Sequence, residues 1–179
     1  MLLKYSKKKE PIIIKESVRI LKKGGLIVYP TDTVYGIGAD ATKRKSIEKI
    51  YKIKKRSKKV FISALVSNKK MLKEYSFPSK LAIRKFPGKY TFILKSKKNL
   101  PIAKDYIGFR IPNHWCVKIA KQFGKPITTT SANVSGQPTP NNIQDIQKMF
   151  GKSIDLYIDD GKLSGKPSKI FSKDNKRIR

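Results

Sequence analysis

The sequence predicts a single α/β domain built on a largely buried β-sheet. Strand-like and helix-like segments alternate along the chain. The apolar runs are short and continuous, as strands covered on both faces require. The length, 179 residues, suffices for one substantial core and leaves little room for a second.

Residues 12–23 read as a helix with Ile14, Val18 and Leu21 on one face, closed by Gly24-Gly25. The run "LIVYP" (26–30) is a strand stopped by Pro30, and "TDTVYGIGADAT" (31–42) follows it as a loop. Residues 46–55 form a helix with Ile47, Ile50 and Tyr51 as its apolar stripe. "FISALV" (61–66) is a strand, and two short helices fill 68–86. "YTFIL" (90–94) and "IGFRI" (107–111) are further strands. A helix over 113–123 buries Cys116, Ile119, Ala120 and Phe123 at i, i+3, i+4, i+7 spacing and carries His114 in its first turn. "PITTT" (126–130) is a strand, 142–149 a helix, "IDLYI" (154–158) a strand, and "SKIFS" (168–172) an edge strand.

Composition excludes several classes of function. No apolar run is long enough to span a bilayer, and the first residues, "MLLKYSKKKEPIII", lack a signal-peptide layout, so a cytoplasmic protein is expected. One cysteine, Cys116, excludes an internal disulfide, and one histidine makes a Ser-His-Asp or His-ligated metal site a poor fit. No GxxxxGK[ST] pattern occurs. The formal charge of +30 suits a polyanionic partner such as RNA. Lysine, however, supplies 35 of the 42 basic residues and is spread along the chain, as an A/T-rich coding bias would also produce. Against that background the seven arginines are informative, because each keeps a planar, two-pronged donor where lysine would otherwise accumulate. Two of them, Arg56 and Arg110, lie beside the segments richest in polar chemistry.

Those segments share a chemistry. "PITTTSANVSGQPTP" (126–140) carries six hydroxyls just past a strand, where Ser and Thr ordinarily cap helices or close turns. The loop 31–38 also leaves the end of a buried strand, the edge where open α/β sheets bind ligands. On helix 46–55 the apolar stripe runs on to Lys54, which either snorkels to solvent or turns its ammonium inward. Arg56 could aim a second cation at the same region, and two converging cations suit a phosphate. Hydroxyls, amides, Lys and Arg suit phosphate and carboxylate ligands and act by positioning and charge stabilisation.

In order and spacing, "PTDTVYGIGADA", "KKRS" (54–57), "FPGKYTFIL" (86–94), "GFRIPNH" (108–114), "TSANVSGQPTP" (130–140) and "IDDGKLSGKPSKI" (158–170) resemble the YrdC-like threonylcarbamoyl-AMP synthases, from about residue 12 onward. The resemblance implies the short form, one domain over 1–179, with a twisted, mostly buried mixed sheet flanked by helices. It implies an enzyme that joins L-threonine, bicarbonate or CO2 and ATP into threonylcarbamoyl-AMP and pyrophosphate. Mg2+ would accompany the ATP, and no metal would be held by the protein alone. The product would pass to tRNA threonylcarbamoyltransferase proteins that modify the adenosine beside the anticodon. Carried over by motif, Lys54 and Arg56 bind the triphosphate and act in catalysis, while Ser131, Asn133 and Thr139 contact ATP. Thr33, Arg110, Thr129 and Ser168 bind threonine, Arg110 as a clamp on the α-carboxylate. The chain departs from the pattern at Ser57, often Pro, at Lys89, also Pro, and at Lys169, commonly Thr. Leu65 stands where some relatives place a His near threonine. Two other readings remain: a non-catalytic double-stranded RNA-binding module, and an adenylating relative with a different acceptor.

Overall fold

A computed structural model describes residues 1–57 and 61–179. The strands are β1 (Leu2–Lys4), β2 (Ile27–Tyr29), β3 (Gly36–Gly38), β4 (Ser63–Leu65), β5 (Ser76–Phe77), β6 (Tyr90–Ser96), β7 (Tyr106–Arg110), β8 (Ile127–Ser131), β9 (Leu156–Asp159) and β10 (Lys169–Phe171). They form one mixed sheet in the order β1-β9-β2-β3-β8-β4-β7-β6-β10, with β5 added beside β6. The helices are α1 (Glu10–Lys22), α2 (Arg44–Ile53), α3 (Lys69–Tyr75), α4 (Lys80–Lys85), α5 (Val117–Phe123) and α6 (Ile143–Phe150).

Helices cover both faces of the sheet, which explains the continuous apolar strands. On one side α1 and α5 bury Ile13, Leu21, Ile119 and Phe123 against Ile27, Tyr29 and Ile158. On the other, α2, α3 and α6 bury Ile47, Ile50, Leu72 and Ile146 with Val28 and Ile37. Alternate residues of β2 thus enter opposite cores, as the two-residue period of a strand requires.

Three departures from the sequence reading bear on the site. The loop 31–42 contains a strand, β3, antiparallel to both β2 and β8. Its two glycines hid it, because strand propensity is low there and the pairing comes from its neighbours. The helix expected over 113–123 begins only at Val117, so His114 sits in the turn before it, where its Nδ1 accepts from the Cys116 N–H. Finally, β1 precedes the recognisable motifs and pairs in parallel with β9. At three residues it is too short for a strand period to show in the sequence. As expected, β10 is an edge strand, paired in parallel with β6.

Candidate active site

A cavity of about 320 Å³ lies across six successive strands of the sheet. Its lining takes Gly36 from β3, Thr129, Thr130 and Ser131 from β8, Ser63 from β4, Arg110 from β7, Thr91 from β6 and Ile170 from β10. The registers place these side chains together: Gly36 pairs with Ser131, Ser63 with Thr129, and Ile170 with Thr91. Gly108, opposite Ile93, keeps the floor open, since a Cβ there would stand 2.8 Å from the Ser63 hydroxyl.

Eight of the nine residues singled out from sequence line this cavity: Thr33, Arg56, Arg110, Thr129, Ser131, Asn133, Thr139 and Ser168. Lys54 is the exception. It is 1% exposed, and its ammonium donates to the carbonyls of Ser131 and Asn133 at 2.5 and 2.6 Å and to Asn133 Oδ1 at 3.3 Å. Neither snorkelling nor a free cation in the cavity describes it. Lys54 stands behind the hydroxyl-rich segment and fastens it from below. Burial, reinforced by the Arg56 guanidinium, pulls its pKa down to about 7.

The end of α2 explains how neighbouring cations take different roles. Lys54 caps the helix, Lys55 adopts a left-handed conformation at φ 48°, and the N–H groups of Lys55 and Arg56 return to the carbonyls of Lys52 and Tyr51. This is a Schellman closure with Lys in the position glycine usually fills. The reversal sends Lys54 under the loop and Arg56 into the cavity. There the Arg56 Nη1 donates to Thr130 Oγ1 at 3.1 Å and Nη2 to the Phe61 carbonyl at 2.8 Å. Its Nε is buried without a partner among the described residues.

Arg110 forms a second group. Its Nη2 donates to Asp32 Oδ1 at 3.0 Å and to Thr33 Oγ1 at 3.1 Å, in a pair whose side chains are 8% and 6% exposed. Asp32 also accepts the Asn113 N–H at 3.0 Å, so one carboxylate orients the arginine and ties down the chain after β7. The Nε of Arg110 is buried and unpartnered among the described residues. A buried orphan N–H costs about 1–3 kcal/mol unless something accepts from it. Both arginines line the one cavity, which suits it to acceptor-rich ligand groups.

The hydroxyls are similarly half-committed. Thr31 Oγ1 donates to the Val34 carbonyl at 2.7 Å, so it accepts from Thr33 Oγ1 at 3.0 Å. Thr33 Oγ1 then has its proton engaged and one lone pair on Arg110, leaving an acceptor for an N–H donor. Thr91 and Ser168 share a 2.8 Å hydroxyl contact. Ser131 Oγ donates to Asn133 Oδ1 at 2.6 Å, and Asn133 Nδ2 to the Gln137 carbonyl at 2.6 Å.

Sequence reasoning overlooked several lining groups. Ser63 and Thr91 were concealed inside apolar strands, where a lone hydroxyl facing the same side as its cross-strand partners was the available signal. Arg179 also reaches the cavity, donating from Nε and Nη2 to the Ser168 carbonyl. Nothing local in the sequence places it near the motifs.

The sequence matches the family model described as "Telomere recombination", which covers Sua5, YciO and YrdC proteins, over residues 19–179. The chain belongs to this family. Within the Sua5/YciO/YrdC family it is 39% identical over 175 residues to a putative threonylcarbamoyl-AMP synthase of Methanocaldococcus jannaschii, covering 92% of this chain and 84% of that protein. The solved structure of P. abyssi Sua5 complexed with L-threonine superimposes with a TM-score of 0.89 at 25% identity, covering 96% of this chain. The chain spans 54% of that longer protein. Escherichia coli YciO, named an uncharacterized protein, is 31% identical over 170 residues, covering 89% of this chain and 82% of that protein. Its crystal structure gives a TM-score of 0.83 over 96% of this chain and 88% of that one, at 28% identity. The twisted mixed sheet flanked by helices is therefore the fold of this family. Among the described residues, no helix is long and apolar enough to cross a membrane.

Proposed function

We propose that this cavity joins L-threonine, bicarbonate or CO2 and ATP into threonylcarbamoyl-AMP, releasing pyrophosphate. The observation that carries the reading is the pair of buried, unpartnered guanidinium N–H groups, Arg56 Nε and Arg110 Nε, in separate hydrogen-bonded groups of one cavity. One suits a carboxylate and the other a phosphate, which are the two anionic ends of this reaction. Relatives named threonylcarbamoyl-AMP synthase and the Sua5 complex with L-threonine support the same reading.

The chemistry follows from what the lining offers. Threonine's carboxylate rests on Arg110, and its nitrogen donates to the free lone pair of Thr33 Oγ1. That nitrogen, as the free amine, takes up CO2 and gives up one proton to solvent, forming a carbamate whose oxygen attacks the α-phosphorus of ATP. The bond to the bridging oxygen breaks, and pyrophosphate leaves with the electron pair. Arg56 stabilises the charge moving onto it, Thr139 donates to phosphate or ribose oxygens, and Ser131 Oγ, whose proton is held by Asn133, accepts from a ribose hydroxyl. No group in the cavity need act as a nucleophile, so the catalytic work is positioning and electrostatics. Mg2+ accompanying ATP would supply further neutralisation of phosphate charge. Among the described residues no three His, Cys, Asp or Glu side chains gather to hold a metal, so the ATP oxygens would be its principal ligands. The product is reactive, and tRNA threonylcarbamoyltransferase proteins are the proposed recipients.

Pyrophosphate release from ATP and bicarbonate should therefore depend on L-threonine, with glycine and serine as controls. Threonine-independent release, or none from folded protein that still binds ATP, would remove this reading.

The loop before β10 gives a sharper test of the threonine end. A Cβ on Gly165 would stand 2.1 Å from the Thr33 carbonyl oxygen, so the loop backbone lies directly on Thr33. Gly165→Ala must displace it, and the substitution should raise the threonine KM about tenfold or more while ATP affinity holds. Separate titrations of the two substrates check this, and parallel losses in both would place the loop outside threonine binding.

A second reading rests on a neighbouring cleft of about 1120 Å³ lined by Arg84, Lys85, Lys89, Lys162, Lys166 and Lys169. Such a cleft suits a polyanion, and RNA held there would lose affinity log-linearly with salt. The two readings are compatible, because among the described residues the cleft and the cavity share only Thr33 and Pro167 in their linings.

A further inference from the structure

Phe61 is 67% exposed, and it lines the cavity. Leaving a phenylalanine in water forgoes about 1.5–3 kcal/mol of burial, so an exposed ring at the rim of a polar cavity calls for a partner. Among the described residues no other ring packs on it. The other aromatic lining residue, Tyr35, is fully buried, and its hydroxyl is committed to the Gly161 carbonyl and the Asp160 N–H.

The position of Phe61 says which part of the cavity it serves. Its carbonyl accepts from Arg56 Nη2, so the ring and the phosphate-side cation are fastened to each other. In the antiparallel β4/β8 ladder Ser63 pairs with Thr129. Phe61 lies two residues before β4, just ahead of that pair. Its bond to Arg56 therefore sets it beside the Arg56 and Thr130 group.

We infer that Phe61 is the stacking surface for the purine base of the nucleotide. A nucleoside triphosphate held by Arg56 through its phosphates has a planar, apolar base to place within one nucleotide's length. The exposed ring is the aromatic face available there among the described residues. Stacking explains how a lining made largely of hydroxyls and cations selects a nucleotide over a bare polyphosphate. The inference rests on the adenylating reading of the cavity and adds the recognition of the base.

The test measures binding, so that it stands apart from turnover. Phe61→Ala should weaken ATP about tenfold and leave inorganic tripolyphosphate and L-threonine unchanged. Phe61→Leu should fall between, because it keeps apolar area without a ring. In a Trp115→Phe background, which removes the only native tryptophan, Phe61→Trp should show emission quenched by ATP and unaffected by tripolyphosphate. Equal losses of ATP and tripolyphosphate in Phe61→Ala would mean that the residue merely supports Arg56. Unchanged ATP affinity, or an unresponsive tryptophan, would overturn the stacking role. Failure of the unaltered protein to bind ATP would instead remove the adenylating reading on which it rests.

Discussion

Arg110→Lys is expected to raise the threonine KM of the pyrophosphate-release reaction by about 10- to 100-fold, with ATP binding unchanged. The size follows from the loss of one charge-assisted hydrogen bond, worth about 1.5–3 kcal/mol. The direction follows from the geometry. Arg110 spends Nη2 on Asp32 and Thr33 and keeps Nε, buried and unpartnered, for a ligand. A lysine ammonium could preserve the ion pair with Asp32, but it is a point charge without a second donor fixed at guanidinium spacing. The fold should therefore survive while the carboxylate loses its clamp. Substrate titrations together with a melting curve check the point. A threonine KM within twofold of the unaltered protein would take Arg110 out of substrate binding. A collapsed melting temperature would show that the buried pair with Asp32 is chiefly structural, as breaking such pairs can be.

Asp32 illustrates what the sequence could and could not convey. The order of helices and strands was legible because both cores are lined by short, regular apolar runs. The site was legible where its residues sit in contiguous motifs, as Ser131, Asn133 and Thr139 do. A Thr-Asp-Thr loop by itself signals only a turn. The importance of Asp32 depends on a hydrogen bond to an arginine 78 positions away, which no local pattern encodes. Thr91, Ser63 and Arg179 were hidden for the same reason: strand pairing and the return of the chain end bring them to the cavity. Lys54 was recognised as anomalous, since an apolar position held a charge. Its destination was open because the Schellman reversal that separates it from Arg56 rests on Lys55, a residue type that does not advertise a left-handed conformation.

The Lys54→Met variant should have the other large effect, and it should carry a distinct pH signature. Methionine fills similar volume but removes all three donors that hold Ser131 and Asn133. Two carbonyls then lose their partner, the segment bearing Ser131, Asn133 and Thr139 loosens, and turnover should fall about 10- to 100-fold with a weaker ATP KM. Because Lys54 lies behind this segment, the loss would act through the loop, raising the ATP KM as kcat falls. The pKa supplies the second readout. In the unfolded chain Lys54 titrates at its ordinary 10.5, and in the folded protein burial brings it to about 7. Between those values the unfolded chain holds a proton that the folded chain has released, so stability contributed at this position rises with pH across that window. Below about pH 7 both states are protonated, and the desolvation penalty is fully present. The stability of the unaltered protein relative to Lys54→Met should therefore improve steadily from about pH 7 towards 10. Denaturant unfolding of the pair at matched pH cancels the many surface lysines common to both. A constant difference over that range would mean that the three oxygen acceptors hold the Lys54 proton against burial, and that the clamp beneath the loop stays charged at every pH at which the protein is folded.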